Sequence, residues 1–206
     1  MTTQAGKRSD LHGSAPDNHH TALILIDVIN DFEFPRGDEL FSQALPIARN
    51  IANLKERARA VGIPAVYVND NFGRWQSNFE QLVSHCLNDG VRGRPFVEQL
   101  TPDPERDYFV LKPKHSAFYQ TPLDLLLKHF GTHRLILTGV STNSCVLFTA
   151  NDAYMRDLDM IVPADCVAAC NAHEQDIAMD QMKSMLKADI SPSAQIDLNA
   201  LVEKPA

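Results

Sequence analysis

Ala22-Leu23-Ile24-Leu25-Ile26, closed by Asp27, is apolar without a break. A strand with one face in water alternates apolar and polar residues, so an unbroken apolar run suits a strand covered on both faces, as in a parallel sheet. Similar segments recur downstream. Ile63–Val68 predicts a second strand, Tyr108-Phe109-Val110-Leu111 a third, Arg134-Leu135-Ile136-Leu137-Thr138 a fourth and Leu158–Pro163 a fifth. Helical spacing fills the gaps. Over residues 41–61, Leu45, Ala48, Ile51, Ala52, Leu54 and Ala58 share one face, and Gly62 and Pro64 stop the helix. Thr121-Pro122 caps a helix through Phe130, with Pro at the first helical position and Gly131 at the end. Asn143–Met155 and His173–Leu186 predict two more. Strands separated by helices imply right-handed crossovers, and so a three-layer α/β/α fold around a central parallel sheet.

The first twenty residues are polar, include the pair His19-His20, and predict a disordered tail; residues 21–206 are expected to form a single domain. A chain of 206 residues buries roughly 70% of its unfolded surface and needs no staples. Net charge is −7 with no dense Lys/Arg cluster, which argues against nucleic acid as a partner. No stretch approaches the ~20 apolar residues of a membrane span. Lys7 and Arg8 are followed by no apolar run, so a secretory signal is not expected. Cys86, Cys145, Cys166 and Cys170 are too sparse for a disulfide framework, which points to a reducing cytoplasm. Residues 70–106 are the least regular part and predict a long loop with one or two short helices, as a lid or a subunit contact.

In an open α/β sheet, ligands sit beyond the carboxyl ends of the strands. Asp27 closes the first strand, Lys112 closes the third, and Cys145 lies just beyond the fourth. All three should emerge on one edge. Singly, each has an ordinary reading: a buried thiol, a turn-forming carboxylate, a solvated ammonium. Together they make sense as chemistry. The thiolate is the nucleophilic form of cysteine. A position in the first turn of a helix and a neighbouring lysine would both favour it. A carboxylate would oppose ionisation, so its use would be proton transfer, first from the thiol and then to a leaving amine. Gly139-Val-Ser-Thr-Asn-Ser-Cys145 could bring backbone N–H groups to the same point as an oxyanion hole.

At these residues the chain resembles the isochorismatase-like cysteine hydrolases, a group that includes nicotinamidases, N-carbamoylsarcosine amidase and ureidoacrylate or biuret hydrolases. Three blocks carry the likeness: Leu23-Ile-Leu-Ile-Asp27 with Asn30-Asp-Phe32, Leu111-Lys112 with His115-Ser-Ala-Phe118, and Gly139-Val-Ser-Thr-Asn-Ser-Cys145. The resemblance implies a triad of Asp27, Lys112 and Cys145. Its lysine precedes its cysteine by 33 residues, which selects Lys112 over Lys114. It also implies a cis peptide at Val140–Ser141 and an oxyanion hole built from the amides of Ser141 and Cys145. Two departures stand out. Ile29 replaces a glutamine frequent in the family, and Phe72 stands where nicotinamidases carry a metal-binding histidine. The second departure implies a metal-free enzyme and makes nicotinamide a poorer substrate; no other cofactor is expected.

The reading is therefore a hydrolase that cleaves a non-peptide C–N bond of a small molecule, an amide, ureide or carbamoyl compound, through a thioester. The resemblance adds a homo-oligomer, dimer or tetramer. Phe32, Arg74, Trp75, His115 and Phe118 are further candidates for the substrate pocket; core packing or solvent is the competing role for each. Cys166 and Cys170, spaced Cys-x₃-Cys, read as buried small hydrophobes before a redox or metal pair. The competing functions are vinyl-ether hydrolysis of the isochorismate type, a noncatalytic interaction module, and a redox-sensing cysteine.

Overall fold

The computed structural model describes residues 19–72 and 78–202. The expected tail lies outside these residues except for His19 and His20, which are tied to the body. The His19 amide donates to Phe130 O, and His20 O accepts from the amides of His133 and Arg134.

Thr21–Ile26 forms β1, and all six side chains are buried. Leu23 and Leu25 enter a core shared with Ile51 and Leu54 of α1 (Gly37–Ala60), Phe79 and Cys86 of α2 (Phe79–Asn88), and Phe96 of α3 (Arg94–Gln99). Ala22, Ile24 and Ile26 enter a second core on the opposite face. That core holds Leu127 and Phe130 of α4 (Leu123–Phe130), Val146, Ala150 of α5 (Leu147–Tyr154) and Met182 of α6 (Ala172–Ser184). A central strand that feeds two cores cannot alternate with polar residues. Each fully buried Leu or Ile contributes about 1.5–3 kcal/mol.

The strand order is β3 (Tyr108–Lys112), β2 (Ala65–Asp70), β1, β4 (Arg134–Val140), β5 (Asp159–Ile161), and every pairing is parallel. β6 (Val167–Ala168) pairs with Gly139 and Val140 at the end of β4. The chain builds outward from β1 to β3 and then returns to the other side of β1. The reversal leaves a crevice between the carboxyl ends of β1 and β4, the switch point at which such sheets bind ligands. Gly139 makes the closure possible there: its φ is +111°, and a Cβ would lie 2.0 Å from Ile26 O.

Several boundaries differ from the sequence reading. α1 starts at Gly37 and carries Pro46 inside it, and β2 starts at Ala65 because Pro64 has no N–H to give the ladder. The helix expected from Asn143 is two elements, a π-helical turn over Thr142–Val146 followed by α5. Segment 70–106 holds α2, capped by Asn78, and α3. β6 has only two residues, too few to leave a periodic signal. No helix among the described residues is long and apolar enough to cross a membrane.

Candidate active site

Asp27 follows β1 directly in a left-handed conformation (φ 51°), one that Asp tolerates better than most residues. Its Oδ1 accepts the Asp70 amide at 2.7 Å, so the end of β2 holds the carboxylate in place. Lys112 ends β3 fully buried, with Nζ 2.9 Å from Asp27 Oδ2 and 3.5 Å from Asp70 Oδ2. Cys145 lies in the π-helical turn after β4, and its Sγ is 3.4 Å from Lys112 Nζ. Lys112 Nζ thus stands between the Asp27 carboxylate and the Cys145 sulfur and contacts both. Three elements therefore gather one carboxylate and one thiol around a single ammonium.

Burial raises the Asp27 pKa above the ordinary carboxylate value, against the pull of Lys112, the thiol and the Asp70 amide. Burial would lower Lys112, but the charges of Asp27 and Cys145 overcome it and the net shift is upward, so the side chain stays an ammonium. Burial and Asp27 push the Cys145 thiol up to about 12, with Lys112 acting in the opposite direction. This corrects the expectation of a favoured thiolate. Cys145 is not in the first turn of an α-helix, and its sulfur is desolvated beside a carboxylate. The resting site holds a protonated thiol next to a base of raised affinity for protons.

Val140 is buried at the end of β4, and the Val140–Ser141 peptide bond is cis. Ser141 Oγ donates to Asn143 Oδ1 at 2.6 Å. His115 is exposed and puts Nδ1 3.7 Å from Cys145 Sγ, with its ring 5.4 Å from that of Phe148. It approaches the sulfur from the solvent side, opposite in exposure to the buried Asp27 and Lys112. Two pocket candidates are corrected. Phe32 exposes none of its surface and packs edge-on against Phe41 and Phe96. Phe118 is 4% exposed, with the Arg156 guanidinium 4.5 Å over its ring. Both are core residues, because the loops that carry them fold back onto the sheet. Arg74 and Trp75 lie outside the described residues.

Sequence reasoning missed Asp70, the second carboxylate on Lys112. It also missed the groups that secure the loop after Lys112: the Ala117 amide donates to Thr149 Oγ1 at 3.0 Å, and Ser116 Oγ bonds Asp152. Strand-end position could have signalled Asp70, which closes β2 as Asp27 closes β1. Cys166 is buried and Cys170 half-buried, and both are free thiols. No group of three or more metal-ligating side chains gathers among the described residues.

The isochorismatase-domain family model matches residues 21–195. An uncharacterized isochorismatase family protein of Bacillus subtilis, YaaI, is 40% identical over 175 residues, covering 85% of this chain and 95% of that protein. The ureidoacrylate amidohydrolase RutB of Methylorubrum extorquens is 31% identical over 175 residues, 72% of this chain and 70% of its own length. Among solved structures, N-carbamoylsarcosine amidase from Thermoplasma acidophilum aligns with a TM-score of 0.66 at 28% identity, over 87% of this chain and 99% of that one.

Proposed function

The chain belongs to the isochorismatase family and is a hydrolase, and from that premise we propose that it cleaves the C–N bond of a small ureide, carbamoyl compound or amide through a thioester on Cys145. The observation that carries this reading is the simultaneous contact of the buried Lys112 ammonium with the Cys145 thiol and the Asp27 carboxylate.

Asp27 takes the thiol proton as Sγ attacks the substrate carbonyl. Lys112 compensates the charge that develops on sulfur. The carbonyl oxygen becomes an oxyanion facing the Ser141 and Cys145 amides, which serve as its donors. Asp27 then passes its proton to the leaving nitrogen, the C–N bond breaks, and an amine departs from a thioester. In the second half Asp27 accepts a proton from water, which attacks the thioester; the C–S bond breaks, and the sulfur leaves with the proton held by Asp27. The acid is released and the site is restored. A raised Asp27 pKa suits this use, because a stronger base accepts the thiol proton more readily. No step requires a metal. His115, against the sulfur on its exposed side, is placed to contact the substrate. A homo-oligomer acting in a reducing cytoplasm completes the reading, in keeping with four free cysteines.

The deciding experiment is a turnover screen over ureidoacrylate, N-carbamoylsarcosine, biuret, nicotinamide and isochorismate, read as ammonia or amine release and by product mass. Hydrolysis of at least one ureido or carbamoyl compound is expected. Cleavage of isochorismate alone, or no turnover of any amide, overturns the reading.

A further inference from the structure

The turn that carries Cys145 is short, closed on itself by the Ser144 and Val146 amides donating to Ser141 O, and held from outside as well. Two adjacent residues at the start of α6 grip it. Asn143 Nδ2 donates to Glu174 Oε2 at 3.1 Å, and Thr142 Oγ1 donates to Gln175 Oε1 at 2.6 Å. Asn143 passes the contact back to Ser141 through its Oδ1. Glu174 is itself fixed on its other oxygen: Oε1 accepts from Arg36 Nη2 at 2.8 Å and from Asn171 Nδ2 at 3.0 Å. Arg36 stands where the segment that follows Asp27 enters α1. One carboxylate on α6 therefore links the stretch after the general base to the turn that holds the thiol. Hydrogen bonds from Arg36 keep that carboxylate below its ordinary pKa, so it is ionised throughout the working range.

We propose that Glu174 is a positioning residue: through Asn143 it fixes the turn that presents Cys145 to Lys112 and Asp27, and Arg36 fixes Glu174. The inference rests on the reading of Cys145 as the nucleophile. Glu174 touches neither the thiol nor its partners, so it acts only through the turn.

Loosening the turn has a signed consequence. Burial and Asp27 hold the thiol protonated, and together they outweigh Lys112. A sulfur released from the site loses all three influences, so it becomes both more accessible and more acidic. It also loses the base and the ammonium that make it useful. Reactivity toward a small electrophile should rise while turnover falls. Loss of structure alone would not confine that rise to one cysteine.

Full-length wild type, Glu174→Ala, Glu174→Gln, Asn143→Ala and the Glu174→Ala/Asn143→Ala double variant are treated with limiting iodoacetamide near pH 8, where thiolate begins to form in an ordinary thiol. Alkylation at each cysteine is read by peptide mass spectrometry. Glu174→Ala and Asn143→Ala should each raise labelling of Cys145 several-fold, with Cys86 and Cys166 unchanged as internal standards. Glu174→Gln, which keeps an acceptor for Asn143 but no charge for Arg36, should fall between. The double variant should match the single ones, because both residues lie on one chain of contacts. With the amide found in the screen, kcat should drop roughly tenfold to a hundredfold at little-changed KM. Unchanged Cys145 labelling in both single variants overturns the proposal, as do effects that add in the double or a parallel rise at Cys86 and Cys166. If wild type hydrolyses no amide yet Glu174→Ala still exposes Cys145 selectively, the brace stands and the nucleophile reading falls.

Discussion

Lys112 Nζ stands 2.9 Å from Asp27 Oδ2, and the lysine exposes no surface to water. Such a pair costs desolvation on both sides, and deleting one partner leaves the other buried without its countercharge. Asp70 adds a second carboxylate at 3.5 Å. Lys112→Ala leaves two carboxylates facing each other without a cation. It should destabilise the fold by ~3–5 kcal/mol as well as stop turnover. Urea unfolding with an unchanged slope but a lowered midpoint would show it. A variant as stable as wild type would mean that the ion pair is not formed in solution.

Cys145→Ala should lower kcat by several orders of magnitude and leave substrate binding nearly intact, since Ala removes only the sulfur. Hydroxylamine should intercept the acyl group as a hydroxamate with wild type and give none with the variant. Near-normal turnover by Cys145→Ala alongside an inactive Asp27→Asn would put the chemistry on the carboxylate alone.

On the proposed route Asp27 must be ionised to accept the thiol proton, and its pKa is raised by burial. Activity should therefore fall, as pH decreases, through a midpoint above the ordinary Asp value of about 3.9. The same shift acts on stability with the opposite sense. A carboxyl whose folded pKa is raised contributes stability that is fully present below its unfolded pKa and is lost as pH rises through the folded pKa. The acid loss of activity should thus occur with circular dichroism unchanged by Asp27. An acid limb that coincides with unfolding would contradict this.

Since the Cys145, Cys86 and Cys166 thiols are all pushed up to about 12, none should show a low-pH step in alkylation. Cys170 is half-buried and the other three are buried, so limiting iodoacetamide at neutral pH should reach Cys170 first. Rapid labelling of Cys145 below pH 7 would show a resting thiolate instead.

Turnover should survive exhaustive chelation, since each step of the proposed route is assigned to Asp27, Lys112, Cys145 and backbone amides. Loss on chelation with recovery on adding a divalent ion would require a different chemistry at this edge of the sheet.

The layer order was legible in the sequence because Ala22–Ile26 and the strand-like runs after it carry burial directly in their composition. Asp27, Lys112 and Cys145 could be brought to one edge because strand ends are positions that a linear reading can mark. Asp70 closes β2 and was open to the same reading, but Glu174 and Gln175 were not legible. Their contacts join side chains far apart in sequence, and no periodicity encodes them. The π-helical turn was also hidden, because Asn143–Met155 has ordinary helical spacing. That error carried into the chemistry, where a helix dipole was credited with an acidity that burial and Asp27 reverse. Phe32 and Phe118 were misplaced for a related reason: their loops sit beside functional residues in sequence while their rings turn into the core.

A sulfur that rests protonated and shielded is close to invisible to the reagents used to inventory reactive cysteines across a proteome. Chloroacetamide and acrylamide fragments select thiols that are already anionic, so a library of such warheads would pass over this centre and collect surface hits at Cys170. Inhibitors would have to supply what the substrate supplies, an electrophilic carbon shaped like the carbonyl and able to draw the proton onto Asp27 as the bond forms. Aldehydes and nitriles built on a ureido or carboxamide skeleton meet that description. The same shielding should slow oxidation of Cys145 by peroxide, since the thiolate is the form that reacts.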